Sequence, residues 1–393
     1  MTPGEAAALA QRVFLHIGAP KTGSTYIQNV LWGNADTLRD RAGVLVPHSL
    51  YAHDQAMADL RGVAWHDPDS GWTWDRLAAM AVAWPGDVVI SSEGLGAATS
   101  EQAARAVASL GGAEVHIIVA GRDLWRTLPS MWQQSIRGRS TWRFEDFLSA
   151  VEHGRYQAFW DEHTADRMLR RWGDLVPPTQ RHLITVPPAG APHDTLWQRF
   201  AGVTGIPDGL CTVAAPTANV SLGAAEVELL RRVNQALGDL YPHRVPYQRV
   251  VQKHLVDAVL KQRANALRFG IGADRAAWVM AVAEQQIETL RAYPCQVAGD
   301  LEELRPVAIP ADGPTPDQLP ETKVLEAAID TIVGMLGHAE SLDRPVEPPP
   351  VNPFIRLRNR AAGGVKRRLR NTVTFGTRVT DPAERVPGAR PRA

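Results

Sequence analysis

The 393-residue chain has only two cysteines, Cys211 and Cys295. Two cannot make a disulfide framework, and their spacing matches neither a metal site nor a redox motif, so both are read as buried thiols. No stretch approaches the roughly 18 uninterrupted apolar residues of a membrane span. The opening "MTPGEAAALAQRVFLHIG" lacks the charged segment and long apolar core of a signal peptide. No internal repeat is found, which excludes solenoids and propellers. Neither sign of charge dominates, because Lys plus Arg and Asp plus Glu number 42 each, so the whole chain has no net pull toward nucleic acid or an anionic surface. These absences leave a cytoplasmic globular protein as the expectation, and 45% hydrophobic with 21% charged residues is ordinary for that class.

The charge balance conceals an asymmetry. Residues 341–393 hold 12 basic and 4 acidic residues, so this tail carries +8 and the first 340 residues carry −8. The tail opens with "SLDRPVEPPPVNP", a polyproline-like linker. It continues as "FIRLRNRAAGGVKRRLRNTVTFG", too poor in apolar residues for a core of its own, so it is read as a disordered basic segment. Residues 354–370 could touch an anionic membrane at the inner face or an anionic polymer, although Gly363 and Gly364 interrupt any single amphipathic helix. A solvated tail is the plainer reading. Nothing here implies a specific nucleic-acid partner.

Ahead of the tail, apolar runs alternate with helical patterns. "RVFLHIGA", "GDVVISSEGLG", "AEVHIIVAGRD" and "RHLITVPP" read as strands, and stretches such as "SEQAARAVASL" read as helices between them. Continuously apolar strands separated by helices predict an α/β fold, a parallel sheet sandwiched by helices, extending to about residue 215. From about 220 to 340, "LGAAEVELLRRVNQAL", "QRVVQKHLVDAVLKQRANAL" and "DRAAWVMAVAEQQIETLRAY" predict a helical cap on the same domain, giving one domain over 1–340 and a tail over 341–393. In sheets of this kind ligands sit beyond the carboxyl ends of the strands. Gly18 to Thr25, Glu93 and Arg122 all fall at such ends.

The segment "HIGAPKTGST" enters a helical pattern from the first strand. It keeps the two glycines of a phosphate loop, Gly18 and Gly23, but places Ser24 where an ATP-binding loop needs lysine. Backbone N–H groups between the glycines and the positive end of the following helix still suit an anion. A triphosphate would be poorly neutralised. Lys21 instead lies inside the loop, over its mouth. The plainer alternative is a strand-to-helix turn with a surface lysine.

"PKTGST" closely resembles the phosphosulfate-binding loop of the sulfotransferases, enzymes that use 3'-phosphoadenosine 5'-phosphosulfate (PAPS) as donor. The resemblance implies a phosphate-loop-type fold in which Lys21, Thr22, Gly23, Ser24 and Thr25 hold the 5'-phosphosulfate. It further implies that an arginine at a strand end and a serine eight positions later clamp the 3'-phosphate, and "GRDLWRTLPS" supplies Arg122 and Ser130. "PTANVSLGAAEVELLRRVN" and "VAGDLEELRP" look like segments that recur in bacterial sulfotransferase-domain proteins. The arginine-lysine-glycine loop that finishes the 3'-phosphate pocket in animal cytosolic enzymes has no counterpart here. Sulfonate transfer needs no metal, since one lysine and hydrogen bonds can stabilise a singly charged sulfonate.

Glu93, at the end of the second predicted strand, is the candidate general base, with His16 as rival. The plainer role for Glu93 is a helix cap or an orienting group for Arg122 or Lys21; for Arg122 it is a strand-end ion pair with Asp123, Arg126 being a reserve ligand; and His16 could be a hydrogen-bonded core histidine. The Trp-rich insertion with Trp65, Trp72, Trp74, His53 and His66, and the segment holding Gln134 and Arg137, are the places to look for the acceptor: a small metabolite, glycan or lipid bearing a hydroxyl or amine. An ATP-dependent small-molecule kinase with a deviant loop, and a catalytically idle nucleotide-binding protein tethered by its tail, are the competing readings.

Overall fold

The computed structural model describes residues 11–214, 221–264, 266–307 and 314–343. The chain divides into two compact units, Met1–His338 and Ala339–Ala393. Beyond Asp343 the tail, including 354–370, lies outside the described residues.

The first unit is built on a six-stranded, all-parallel sheet in the order β2-β3-β1-β4-β5-β6. The strands are β1 (Arg12–His16), β2 (Val44–Leu45), β3 (Asp87–Ser91), β4 (Glu114–Gly121), β5 (Arg181–Thr185) and β6 (Gln296–Ala298). Central strands are buried on both faces, which is why they read as unbroken apolar runs rather than alternating ones. The period of two still sorts their side chains. Val13, Leu15, Val88, Ile90, Ile117, Val119 and Leu183 enter one core, whereas Phe14, Val89, Ile118 and Ile184 enter the other.

Helices cover both faces. On the second core lie α1 (Ser24–Gly33), through Ile27 and Leu31, and, far later in the chain, a helix carrying Leu196 and Phe200. The first core receives α2 (Leu50–Arg61), α3 (Trp74–Val82) and α4 (Ser100–Ala108). After β4 come α5 (Leu124–Arg137), α6 (Phe144–Glu152), α7 (Gln157–His163), α8 (Ala165–Gly173) and the Leu196 helix, α9 (Thr195–Thr204). A third core joins α5, α6 and α7 to α10 (Ala224–Leu237) and α11 (Ala276–Ala292) around Trp132, Phe144 and Phe159. The last described helix is α12 (Glu321–Asp343). No helix among the described residues is long and apolar enough to cross a membrane.

Three features depart from the sequence reading. The α/β core does not end near residue 215, because after α11 the chain returns to the sheet and β6 pairs with β5. Second, "QRVVQKHLVDAVLKQRANAL" is not one long helix: a short Arg244–Tyr247 helix passes into a π-helical stretch, Gln248–Asp257, and a 3-10 turn, Leu260–Gln262. Its polar residues are engaged, Gln252 Nε2 donating to the Arg137 carbonyl of α5 and Lys261 pairing locally with Asp257 at 2.7 Å. Third, Cys211 and Cys295 are half-buried rather than enclosed, and both are free thiols.

The sheet order creates a switch point. The connection after β1 runs toward β2 at one edge, and that after β4 runs toward β5 at the other. Ligands of open α/β sheets bind outside the strand ends where connections diverge in this way. A buried histidine pins the neighbouring β3 end: His53 Nδ1 accepts from the Ser91 N–H (3.2 Å) while Nε2 donates to the Pro47 carbonyl (2.7 Å). Burial pushes both His16 and His53 down to about 4.

Depressed histidines bind fewer protons folded than unfolded, so their stabilising effect is complete above the ordinary value near 6.5 and is lost as pH falls toward 4. Urea unfolding should therefore show stability falling between about pH 6.5 and 4, each of these histidines contributing on the order of 1.4 kcal/mol per pH unit. His53→Gln should flatten that slope.

Candidate functional site

At the end of β1 the chain turns through Gly18 (φ +108°), Lys21 (φ 65°) and Gly23 (φ +89°) before α1 begins at Ser24. Left-handed backbone at Gly18 and Gly23 carries no Cβ penalty. Gly18 also needs its missing side chain for space, since a Cβ there would lie 3.3 Å from the Glu93 backbone. Thr22 and Ser24 are buried, and Thr22 Oγ1 ties the loop to itself by donating to the Ala19 carbonyl at 2.6 Å. Thr25 is exposed on the first turn of α1. That turn has no acidic residue of its own and no side-chain cap, so its N–H groups remain open to an anion.

Glu93 comes to the loop from the end of β3. Its carboxylate accepts a hydrogen bond from the Ser24 hydroxyl. It does not cap α4, whose start is held by a capping box between Thr99 and Gln102. Lys21 is half-buried and makes no ion pair among the described residues. Burial depresses its pKa, as do the positive charges of Arg137, Lys261 and Arg122, while Glu93 opposes them.

Arg122 enters from the end of β4. Its Nη1 donates to the Lys21 carbonyl at 2.9 Å and reaches Ser130 Oγ at 3.5 Å; Ser130 itself donates to the Arg126 carbonyl at 2.9 Å. The plainer alternative, an ion pair with Asp123, is not made. Asp123 caps α5, accepting from the Arg126 N–H at 2.9 Å, and pairs with the Arg126 side chain. Arg126 is thereby engaged, and its Nη1 also donates to the Pro187 carbonyl at 3.1 Å. Arg122 is left half-buried, with Nε enclosed and lacking any acceptor among the described residues. Burial, first, and the Arg126 charge, second, push its pKa down to about 10. The Asp123 charge opposes them without forming an ion pair, and a largely desolvated cation so placed gains from a bound anion.

His16 is fully enclosed. Its Nδ1 meets Ser91 Oγ at 2.8 Å and its ring packs edge-on to Phe200, which is the surrounding of a core histidine. Of the tryptophans, Trp72 and Trp74 are buried, and Trp65 is half-buried beneath Arg244, whose guanidinium carbon lies 4.6 Å from its ring centre.

One acidic group escaped the sequence reading. Asp54, on α2, accepts from Ser92 Oγ at 3.1 Å, beside Glu93 in the chain. Burial pushes its pKa up to about 6, and Glu93 adds to the rise. The only signal in the sequence was an acid set between His53 and Gln55, both buried.

The loop, Glu93, Asp54, Arg122 and Ser130 thus meet at the switch point of the sheet. The arrangement can hold two anionic groups side by side and offer a carboxylate to a proton. Comparison with protein-family models, with curated proteins and with solved structures finds no match for this chain.

Gly23→Ala would force left-handed backbone on a residue with a Cβ that also collides with the Leu196 side chain. The expected cost is about 1–3 kcal/mol in urea unfolding. Asp54→Asn tests the neighbouring carboxyl. Because the folded pKa of Asp54 is raised to about 6, ionisation is unfavourable to the native state above that pH. The variant should be more stable than the parent at pH 7–8, by roughly 2–3 kcal/mol, with the difference vanishing below pH 4.

Proposed function

We propose that this chain is a PAPS-dependent sulfotransferase on a phosphate-loop-type α/β fold, transferring a sulfonate to a hydroxyl or amine. The observation that carries the reading is the hydrogen bond from Arg122 to the Lys21 carbonyl, 2.9 Å long. It sets an arginine that makes no ion pair among the described residues directly beside a glycine loop that opens a helix. Two anion sites that share a wall suit a donor with phosphate on both the 3' and 5' positions of one ribose. The free Nε of Arg122 fits the requirement for an anion, and the absence of a lysine after Gly23 argues against a triphosphate.

In this reading the backbone N–H groups of residues 22–25 and the positive end of α1 hold the 5'-phosphosulfate, while Arg122 and Ser130 hold the 3'-phosphate. Lys21 stabilises negative charge on the bridging oxygen as the bond from that oxygen to sulfur breaks. Glu93 takes the acceptor proton as the acceptor's oxygen or nitrogen bonds to sulfur. The products are the sulfated acceptor and adenosine 3',5'-bisphosphate, with the proton on Glu93. Ser24 orients the carboxylate by its hydrogen bond. His16, enclosed and with its pKa lowered to about 4, has no path to an acceptor, so the base is assigned to Glu93 rather than to His16.

Calorimetry should find adenosine 3',5'-bisphosphate preferred over ADP, and Arg122→Ala should weaken it by about 2–5 kcal/mol, a loss of about 30-fold or more. Equal affinity for ADP, or an unaffected variant, removes the donor assignment. Glu93→Gln should keep bisphosphate binding and lower turnover about 10²- to 10⁴-fold.

A further inference from the structure

A cavity of about 580 Å³ opens between the C-terminal end of α5 and residues 242–257. Two separate links join it to the site above. Arg137 lies on its wall and is one of the charges that depress Lys21, and Asp257, also on the wall, pairs with both Arg137 (3.7 Å) and Lys261 (2.7 Å). On the other side Arg244 lies on the wall and is within electrostatic reach of Asp54, the carboxyl held by Ser92 next to Glu93. Gln134 of the wall stands one turn after Ser130 on α5, and Arg244 rests on Trp65, so the cavity lies beside the site.

Its chemistry is uneven. Arg137, Arg139 and Arg244 face one carboxylate, Asp257, so the wall is positive overall. The arginines are not equivalent. Arg139 is committed to backbone carbonyls at Gly238 and Leu240, and Arg137 is shared between Gln252 (3.3 Å) and Asp257. Arg244 makes no ion pair among the described residues and rests on Trp65. Between these cations the wall is amide-rich, with Gln134, Gln248 and Gln252, and it also carries apolar surface, to which Pro242 and Tyr247 belong. Such a lining matches a ligand that sets hydroxyl groups beside apolar faces, as a sugar ring does. It suits many hydroxyl groups and at least one negative charge.

We infer that the acceptor is a sugar acid: a polyhydroxylated ligand whose carboxylate is taken by Arg244 and Arg137 while one hydroxyl is presented to Glu93. The identification of the cavity as an acceptor site rests on the proposed sulfotransfer, but its preference for an acidic sugar is a property of the wall and can be measured without any donor.

The test uses a glucuronate-containing tetrasaccharide and its carboxyl-reduced counterpart, which differ only in charge and one oxygen per acid. Calorimetry on the full chain should give at least about tenfold tighter binding of the acid. Arg244→Gln should abolish that preference, leave the reduced sugar unchanged, and leave adenosine 3',5'-bisphosphate binding intact. Arg244→Lys, which keeps the charge, should retain part of the preference, and the thermal midpoint of each variant verifies folding. Equal affinity for the two sugars, no binding of the acid, or indifference to Arg244→Gln overturns the inference, whatever the bisphosphate result. Loss of the preference for adenosine 3',5'-bisphosphate over ADP in the unsubstituted chain overturns the sulfotransfer reading instead, and leaves the sugar comparison to decide the wall's chemistry.

Discussion

The bond from Arg122 to the Lys21 carbonyl is the constraint on which the site depends, because it locks the end of β4 to the loop after β1. It exists only because those two strands are neighbours in the sheet, with His16 paired to Ile118 in register. The left-handed turn at Lys21 directs its carbonyl toward the arginine and leaves the following N–H groups to α1. Glycine at 18 then admits the Glu93 backbone to the same spot. Three strand ends converge without any one of them contributing more than a few residues.

The electrostatics of this convergence are unfavourable in isolation. Lys21 feels Arg122, Arg137 and Lys261, and Glu93 opposes them. Holding cations this close with few counter-ions lowers the stability of the fold, and an anion that binds the folded state alone would offset the loss by mass action. Asp54 works in the same direction from the carboxylate side, since burial and Glu93 keep it inclined to hold a proton. The site is strained on both signs of charge, which is the common condition of groups arranged to act on a ligand rather than to stabilise a fold.

How much of this was legible depended on whether a feature is local. β1, β3, β4 and β5 stand out because burial on both faces makes them continuous apolar runs. β2 and β6, of 2 and 3 residues, are too short to stand out, although Val44 of β2 is buried in the second core. The loop residues and Arg122 were legible from spacing. Whether Arg122 is free was not, because Asp123 sits beside it in the chain and only the capping of α5 turns that carboxylate toward Arg126. Asp54 was hidden for the related reason that its partner Ser92 is 38 residues away and is met only when α2 packs beside β3. The 244–257 segment shows apolar periodicity compatible with an α-helix, and tertiary bonds from Gln252 and Asp257 override it.

That override bears on how the two halves of the site can differ in rigidity. The donor side is held by strand ends embedded in two apolar cores. The cavity wall instead hangs on a π-helical stretch, a form used mostly in short pieces and frequently at functional sites. It is attached to α5 by the apolar cluster that Tyr247, Val251 and Val256 enter and by Gln252, which both donates to the Arg137 carbonyl and accepts from its guanidinium. One amide thus positions the arginine that lies between cavity and loop. Substitutions in 242–257 can therefore change the chemistry of the wall while the strand ends, and the anion sites they build, stay where the sheet places them.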